Sequence, residues 1–400
     1  MASTPYGPSV KEFREPEPRP VSGFLRADPL LFLAAVGLIA CSVYTIAAAT
    51  QDDIAGNPQY YVIRQGVYGV IGIALMLLVS RFDYSRLREL KLGLYGLMIA
   101  SILLVFAVGS ATRGSNRWID FPFFKFQPSE LGKVLLILTL AAFLVDRVRR
   151  LQEPETTSRI MLLALLPAAL VVAQPDLGSG MVYIAIAVAI LFVGGTKWTH
   201  LATLGAIGTA SVALVLVAAP AVGVEVLKDY QVDRLTAFVN PTDDPQEQGY
   251  QLNQSKAAIG AGQKTGRGFD GATQTRLDFL PEHHTDFVFS VVGEAFGFMG
   301  AALVLSLYAL LIWRALRILT MAKNLYGALL AGGIAAMLMF QVFVNVGMTL
   351  GIMPITGVPL PLMSYGGSSV IVTFLALGLL QSIHVQARDV AAAKGRELIR

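Results

Sequence analysis

The chain has 400 residues, of which 54% are hydrophobic and 14% charged, and its mean hydropathy is +0.61. This composition excludes an ordinary soluble domain and predicts a protein embedded in a bilayer. A single cysteine, Cys41, excludes a disulfide framework and a cysteine metal site, and the small net charge of +4 does not indicate a nucleic-acid partner.

Ten apolar runs follow a polar, proline-rich N-terminus, and a helix needs about 20 such residues to cross the hydrocarbon core. Residues 1–28 are predicted to form a cytoplasmic tail, 29–386 a membrane domain and 387–400 a second cytoplasmic tail. The predicted spans are 29–49, 61–80, 92–109, 128–145, 160–173, 177–194, 199–220, 287–313, 325–351 and 366–385. The predicted fold class is all-α and polytopic, with one large extracytoplasmic loop, 221–286, between helices 7 and 8.

The basic residues predict the orientation of these spans. With the N-terminus in the cytoplasm, the cytoplasmic segments carry 20 of the 31 Lys and Arg residues and the outer segments carry 9, six of them in the long loop. Short basic loops stay on the cytoplasmic side. Ten spans with both termini inside therefore fit the positive-inside rule.

Few ionisable residues interrupt the predicted spans, and each is costly in a bilayer unless it has a partner or a wet cavity. They are Arg64, Glu130, Lys133, Glu294 and, at a span boundary, Asp286. Glu130 and Lys133 are three residues apart and share a helical face. Asp286, Ser290 and Glu294 are spaced by four and are predicted to share a face of span 8.

Two interpretations of these charges are open. Glu130 with Lys133, and Arg64 with Glu294, would form structural ion pairs between or along helices. Alternatively, all five groups line a polar cavity that opens outward, since the derived topology places every one of them in the outer half of the bilayer. The second interpretation is favoured. His283 and His284 have no third ligand in view, so no metal site is predicted.

Several stretches resemble the SEDS family of bacterial cell-wall polymerases (shape, elongation, division and sporulation proteins). They are GSNRWIDF at 114–121, FQPSELGK at 126–133, QPDLGSG at 174–180, RLTAFVNPTDDPQEQGYQLNQSKAAIG at 234–260, LDFLPEHHTDFVFSVVGEAFGFMG at 277–300 and GVPLPLMSYGGSS at 357–369. Within the family, the chain is more similar to the elongation branch, RodA, than to the division branch, FtsW. It departs from many members at Ala295, where they carry a second acid.

The resemblance implies a peptidoglycan glycosyltransferase in the bacterial plasma membrane that polymerises lipid II from the extracytoplasmic side, beside a class B penicillin-binding protein. Asp286 corresponds to the essential aspartate of the family and would be the general base. Arg64 and Lys133 would stabilise the departing pyrophosphate, with Glu130 orienting Lys133. The remaining residues expected to contact substrate are Trp118, Gln231, Lys256, Glu294 and Ser364.

This chemistry inverts the anomeric carbon, so no second carboxylate nucleophile is required. No cofactor is implied, and the sequence leaves open whether a divalent cation assists. Two other function classes are consistent with the pattern. A flippase for the lipid-linked precursor would also have many spans and an internal charged cavity, and a non-enzymatic scaffold would only recruit other proteins.

Overall fold

The computed structural model describes residues 27–50, 57–112, 115–121, 124–215, 238, 248–277 and 279–397. Its helices are α1 (Pro29–Ala49), α2 (Tyr60–Val79), α3 (Lys91–Val108), α4 (Pro128–Asp146), α5 (Pro154–Ala173), α6 (Leu177–Val193), α7 (Trp198–Ala213), α8 (Gln248–Gly262), α9 (Gly268–Gly271), α10 (Thr273–Arg276), α11 (Val288–Met321), α12 (Leu325–Thr349) and α13 (Gly367–Glu397). Within the described residues, seven helices are long and apolar enough to cross a membrane: α1, α2, α4, α5, α11, α12 and α13. The chain is therefore a mostly helical membrane protein.

The predicted spans begin and end within a few residues of these helices, with three differences. Helix α5 begins at Pro154 rather than 160, because its first turn is polar and is supported by an ion pair between Glu155 and Arg159. Helix α11 continues to Met321 and α13 to Glu397, past the predicted ends at 313 and 385. The last part of span 7, 216–220, lies outside the described residues.

Three short antiparallel strands lie between α3 and α4, a feature that the all-α prediction omits. They are β1 (Ser110–Thr112), β2 (Ser115–Asp120) and β3 (Lys125–Phe126), in the order β1-β2-β3. The guanidinium of Arg117 on β2 donates to the carbonyls of Gln174 and Pro175, so the sheet is fastened over the turn between α5 and α6. That turn and the sheet therefore lie at the same end of the molecule.

Helix α4 forms the centre of the helical bundle, since 83% of its most apolar stretch of 18 residues is buried inside the protein. The corresponding fractions are 72% for α12 and 78% for α13, but only 28% for α2. Polar side chains on a helix that the protein surrounds can be satisfied by neighbouring helices rather than exposed to lipid. The central position of α4 thus explains how it carries both Glu130 and Lys133.

Helix α11 is broken at Gly297, whose backbone has φ 63° and ψ −158°. Glycine is needed there because a Cβ would be strained at this φ and would lie 2.7 Å from the carbonyl oxygen of Gly262. The freed amides beyond the break are satisfied from the loop after α8: Phe298 N donates to Gln263 O at 2.8 Å and Met299 N donates to Lys264 O at 3.1 Å. The described part of the long loop is therefore bonded into the broken helix.

Buried charge also occurs at the opposite end of the bundle, where the sequence predicted none. Asp28 is fully buried, caps α1 and accepts a hydrogen bond from Arg314 Nε at 2.7 Å. Gln381 Nε2 donates to the Asp28 carbonyl at 2.9 Å, and His384 Nδ1 lies 4.0 Å from the Asp28 carboxylate. The expectation that buried ionisable groups are confined to one end was wrong. Arg314 lies one residue beyond the predicted end of span 8 at residue 313, so the sequence did not identify it as a charge within a span.

Candidate functional site

The backbone of residues 284–286 is held in place by two other segments of the chain. Asn345 Nδ2, on α12, donates to the Asp286 carbonyl at 2.9 Å and to the Val358 carbonyl at 2.8 Å. From the segment before α13, Ser364 Oγ donates to Thr285 O at 2.6 Å, and Tyr365 N donates to His284 O at 2.9 Å. A backbone fixed at three consecutive residues holds the half-buried Asp286 in a defined position.

Asp286 itself lies in a turn that precedes α11, not on the helix. The expectation that it shares a helical face with Ser290 and Glu294 was therefore wrong for Asp286. Ser290 and Glu294 do face the same way: Ser290 Oγ is 2.7 Å from Ser255 Oγ on α8, and Glu294 contacts α10. The helix starts two residues later than the spacing rule assumed, and the rule holds only within a helix.

Arg64 lies beside a group of rings that we call the aromatic cluster, formed by Tyr60, Tyr61, His284 and Tyr365. The Arg64 guanidinium lies 4.2 Å from the centre of the Tyr60 ring. The Tyr61 ring centre is 4.8 Å from that of His284 and 4.9 Å from that of Tyr365. The aromatic cluster thus joins the first turns of α2 to the segment that contains Asp286.

The phenol of Tyr365 remains neutral in this environment. Burial raises the pKa of Tyr365 above its ordinary value, although the nearby Arg64 acts in the opposite direction. A neutral phenol keeps its proton and can donate a hydrogen bond as well as accept one. The aromatic cluster, with Arg64 beside it, therefore places a cation, hydroxyl groups and ring faces next to the segment that carries Asp286.

Glu130 and Lys133 form a closed ion pair in the first turns of α4. Lys133 Nζ is 2.5 Å from Glu130 Oε1, and the two side chains are 2% and 4% exposed, in that order. Pro128 opens the helix at a position where no amide hydrogen bond is lost. This pair satisfies both charges in a dry surrounding, as a buried ion pair must.

A polar network surrounds the first turn of α4. Asp176 caps α6 and accepts hydrogen bonds from Gln127 Nε2 and Ser129 Oγ, each at 3.2 Å. Gln127 N in turn donates to Ser368 Oγ at 3.0 Å, on the first turn of α13. The starts of α4, α6 and α13 therefore meet at the end of the bundle that also carries Asp286 and Arg64.

The other residues predicted to contact substrate have separate surroundings. Glu294 is fully buried and accepts from the amides of Gln274 and Thr275, at 2.8 and 3.0 Å, and from the Thr275 hydroxyl at 2.7 Å. It thus caps α10 and does not pair with Arg64. Lys256 is exposed on α8 and its chain lies against Gly351.

Trp118 is half-buried on β2, opposite Ser110. Ser364 is buried, and its hydroxyl also accepts from Leu360 N at 2.8 Å. Gln231 lies outside the described residues. The candidate site therefore consists of Asp286 with its supports, Arg64 with the aromatic cluster, and the Glu130–Lys133 pair.

Gln65 was not among the site residues predicted from the sequence. Its side chain is fully buried and joins three segments: Nε2 donates to Ser42 Oγ at 2.9 Å and to Ser364 O at 3.2 Å, and Oε1 accepts from Gly366 N at 3.4 Å. An amide within an apolar span was a usable signal, because such a group needs partners on neighbouring helices. The aromatic cluster gave no such signal, since tyrosine is common at membrane interfaces.

The described residues contain no group of three or more His, Cys, Asp and Glu side chains that could hold a metal ion.

The family model of the FtsW, RodA and SpoVE cell cycle proteins matches residues 27–389. The chain belongs to this family. The SEDS resemblance that the quoted sequence stretches indicated is thereby confirmed.

Among relatives of this SEDS protein, the peptidoglycan glycosyltransferase MrdB of Escherichia coli K12 is 36% identical over 363 residues, 90% of this chain and 94% of the relative. A probable peptidoglycan glycosyltransferase FtsW of Geobacter metallireducens is 35% identical over 371 residues, 91% of this chain and 96% of the relative. Both branches of the family are thus represented at similar identity.

Two solved structures share the fold. One, from work on the coordination of polymerization and crosslinking by a peptidoglycan synthase complex, has a TM-score of 0.76 and 32% identity and covers 90% of this chain and 98% of its own. The other is the rod shape determining protein RodA of Thermus thermophilus, with a TM-score of 0.65 and 29% identity, covering 90% of this chain and 97% of its own. The fold of this SEDS protein is therefore that of RodA.

Proposed function

We propose that this SEDS protein is an inverting peptidoglycan glycosyltransferase that polymerises lipid II during cell-wall elongation. Relatives that cover nine-tenths of the chain bear the name peptidoglycan glycosyltransferase. One observation supports the proposal most directly. The Arg64 guanidinium contacts the Tyr60 ring, and the neighbouring Tyr61 ring contacts His284, so the aromatic cluster connects Arg64 to residues 284–286. A carboxylate and a cation at one end of a lipid-embedded bundle suit a substrate that carries a sugar and a pyrophosphate.

In the proposed reaction, a sugar hydroxyl attacks the anomeric carbon of a second lipid-linked sugar. The bond from that carbon to the pyrophosphate oxygen breaks, and the hydroxyl proton passes to the Asp286 carboxylate. A general base of this kind typically increases the reaction rate by about 10²–10⁴-fold. Arg64 offers a planar fork for two phosphate oxygens, and Lys133, oriented by Glu130, adds positive charge where the leaving group becomes more negative.

The proposed topology has ten membrane spans, with both termini in the cytoplasm and the site on the extracytoplasmic side. Helices α3 and α6 are shorter apolar helices, and α7 supplies the tenth span. The short loops at the end that carries Asp28 and Arg314 are the basic ones, as expected for the cytoplasmic side. Cysteine accessibility at position 57 and at position 197 would test this orientation, because the two lie on opposite sides in the proposal.

A class B penicillin-binding protein is the proposed partner, since a solved relative belongs to a complex that coordinates polymerization with crosslinking. Lys256 on α8 and Trp118 on β2 remain proposed substrate contacts on the same side, whereas the fully buried Glu294 is proposed only to hold α10 in place. Location of the tagged protein along the side wall rather than at the septum would support the elongation role over the division role.

The deciding experiment incubates the purified protein with labelled lipid II, alone and with its penicillin-binding partner, and resolves the glycan products by gel. We expect a ladder of glycan strands that requires the partner or is increased by it. Vesicles with labelled lipid II in one leaflet would test the flippase alternative. Transfer of label between leaflets without any polymer would overturn the polymerase proposal.

A further inference from the structure

A second polar site lies at the basic end of the bundle, far along the helices from Asp286. Two cavities meet there on either side of Asp146, one of about 410 Å³ and one of about 590 Å³. We call them together the inner cleft, defined by Arg88, Lys91, Asp146, Arg147, Arg149 and Arg150. None of these residues belongs to the candidate catalytic site.

The inner cleft carries more positive charge than it neutralises. Its five cations face two carboxylates, Asp146 and the neighbouring Glu89, which leaves a net charge of +3. Asp146 already accepts from two of the cations: Arg88 Nη2 is 2.8 Å from Oδ1, and Lys91 Nζ contacts Oδ2. Ion pairs as exposed as these contribute little stability, so the cations can turn to a stronger anion.

The cations converge on the cavities from two separate segments. Arg88 ends the 3₁₀ turn Tyr84–Arg88 and Lys91 begins α3, whereas Arg149 and Arg150 belong to the 3₁₀ turn Val148–Arg150 after α4. Positive-inside topology explains basic loops in general. It does not require basic side chains from different loops to line adjoining cavities. This arrangement therefore indicates an anionic ligand.

Exposed apolar side chains stand next to these cations. Val148 is 46% exposed, Leu90 57% and Leu92 70%. A small soluble anion makes no favourable contact with apolar side chains. A phospholipid does, because its phosphate contacts Arg and Lys while its acyl chains cover apolar surface at the edge of the bilayer.

From this combination we infer that the inner cleft binds the phosphate headgroup of an anionic phospholipid in the adjacent leaflet. The headgroup lies between the turn at 84–91 and the turn at 147–150, and it thereby ties α3 to the end of α4. This inference does not depend on the proposed polymerase activity. It concerns a structural lipid at the end of the bundle opposite Asp286.

The test uses the full chain purified in detergent, with phosphatidylglycerol or phosphatidylcholine added at equal concentration. We expect phosphatidylglycerol to raise the midpoint of thermal unfolding by at least about 2 °C, since a ligand of the native state stabilises it by mass action. Phosphatidylcholine and soluble glycerol phosphate should each give a much smaller rise. An equal rise with phosphatidylcholine, or with glycerol phosphate, would overturn the anionic-lipid assignment.

The matching variant is Arg147→Gln/Arg149→Gln/Arg150→Gln, which changes side chains at or near the surface and leaves the Arg88–Asp146 pair in place. Its control, Arg81→Gln/Arg317→Gln/Arg388→Gln, removes the same charge from exposed positions outside the inner cleft. We expect the first variant to lose the phosphatidylglycerol response and the control to keep it. Loss in both variants would show a general charge effect, and retention in both would show that the arginines are not the ligands; either result refutes the site.

Discussion

The hydroxyl of Ser364 donates to the backbone carbonyl of Thr285 at 2.6 Å, one residue before Asp286. Ser364 is therefore a positioning residue for the candidate base, and Asn345 supports the same segment from α12. Removal of the hydroxyl by Ser364→Ala should lower kcat for lipid II polymerisation by about tenfold to a hundredfold, because a small displacement of a reacting group is costly. KM should change little.

The control is Ser306→Ala, because the Ser306 hydroxyl donates to the carbonyl of Ala302 within its own helix. A change confined to KM would indicate that Ser364 contacts the substrate directly, as the sequence motif implied. Equal activity of the two variants would remove Ser364 from the site.

Asp286→Asn should insert and fold normally while losing polymerase activity by about 10² or more, because the amide cannot accept the hydroxyl proton. The measurement is the rate of glycan formation from labelled lipid II with the partner present. Asp270→Asn provides the control, since Asp270 is fully exposed in the loop and lies 3.7 Å from Arg276. Full activity in Asp286→Asn would exclude it as the base.

Arg64 can be tested through the geometry of its fork. Arg64→Lys keeps the charge but cannot bind two phosphate oxygens side by side, and should be clearly impaired; Arg64→Gln should be worse. Steady-state kinetics on lipid II, with Arg81→Gln at the opposite end as the control, would measure this. Wild-type activity in Arg64→Lys would show that only the charge matters.

The Glu130–Lys133 pair separates stability from catalysis in a double-mutant cycle. Either Glu130→Gln or Lys133→Met alone should lower the free energy of unfolding by about 3–5 kcal/mol, because each leaves a buried charge without its partner. The double variant should recover part of that loss. Thermal unfolding in detergent provides the readout.

Polymerase activity of the double variant then decides the role of Lys133. If the folded double variant is inactive, Lys133 serves catalysis; if it is as active as the wild type, the pair is purely structural. Both arms are informative because the two side chains are almost wholly buried and contact each other at 2.5 Å.

Gly297→Ala should destabilise the connection between α11 and the long loop by about 1–3 kcal/mol, the usual cost of backbone strain at a positive φ. The new Cβ would also collide with the backbone of Gly266. Limited trypsin digestion at Lys264, Arg267 and Arg276 should become faster. Gly96→Ala is the control, because a Cβ at Gly96 meets nothing within 4 Å; unchanged digestion in Gly297→Ala would contradict the bonded loop.

Much of the candidate site followed from local sequence. The i, i+3 spacing of Glu130 and Lys133 indicated a pair on one helical face, and the structure joins them. The same reasoning failed for Asp286, because the start of α11 depends on contacts made by Asn345 and Ser364 from distant segments. The alternative of an ion pair between Glu294 and Arg64 was also wrong, because Glu294 binds the amides of α10 in the loop.

By itself, the sequence determined which segments form the long apolar helices and which loops are basic, because hydropathy and charge act residue by residue along the chain. Only the tertiary structure decided what meets across the bundle. Gln65 bonds to Gly366, 301 residues away, and Asp28 to Gln381, 353 residues away. Such contacts depend on how the helices pack, so no local pattern of residues could reveal them.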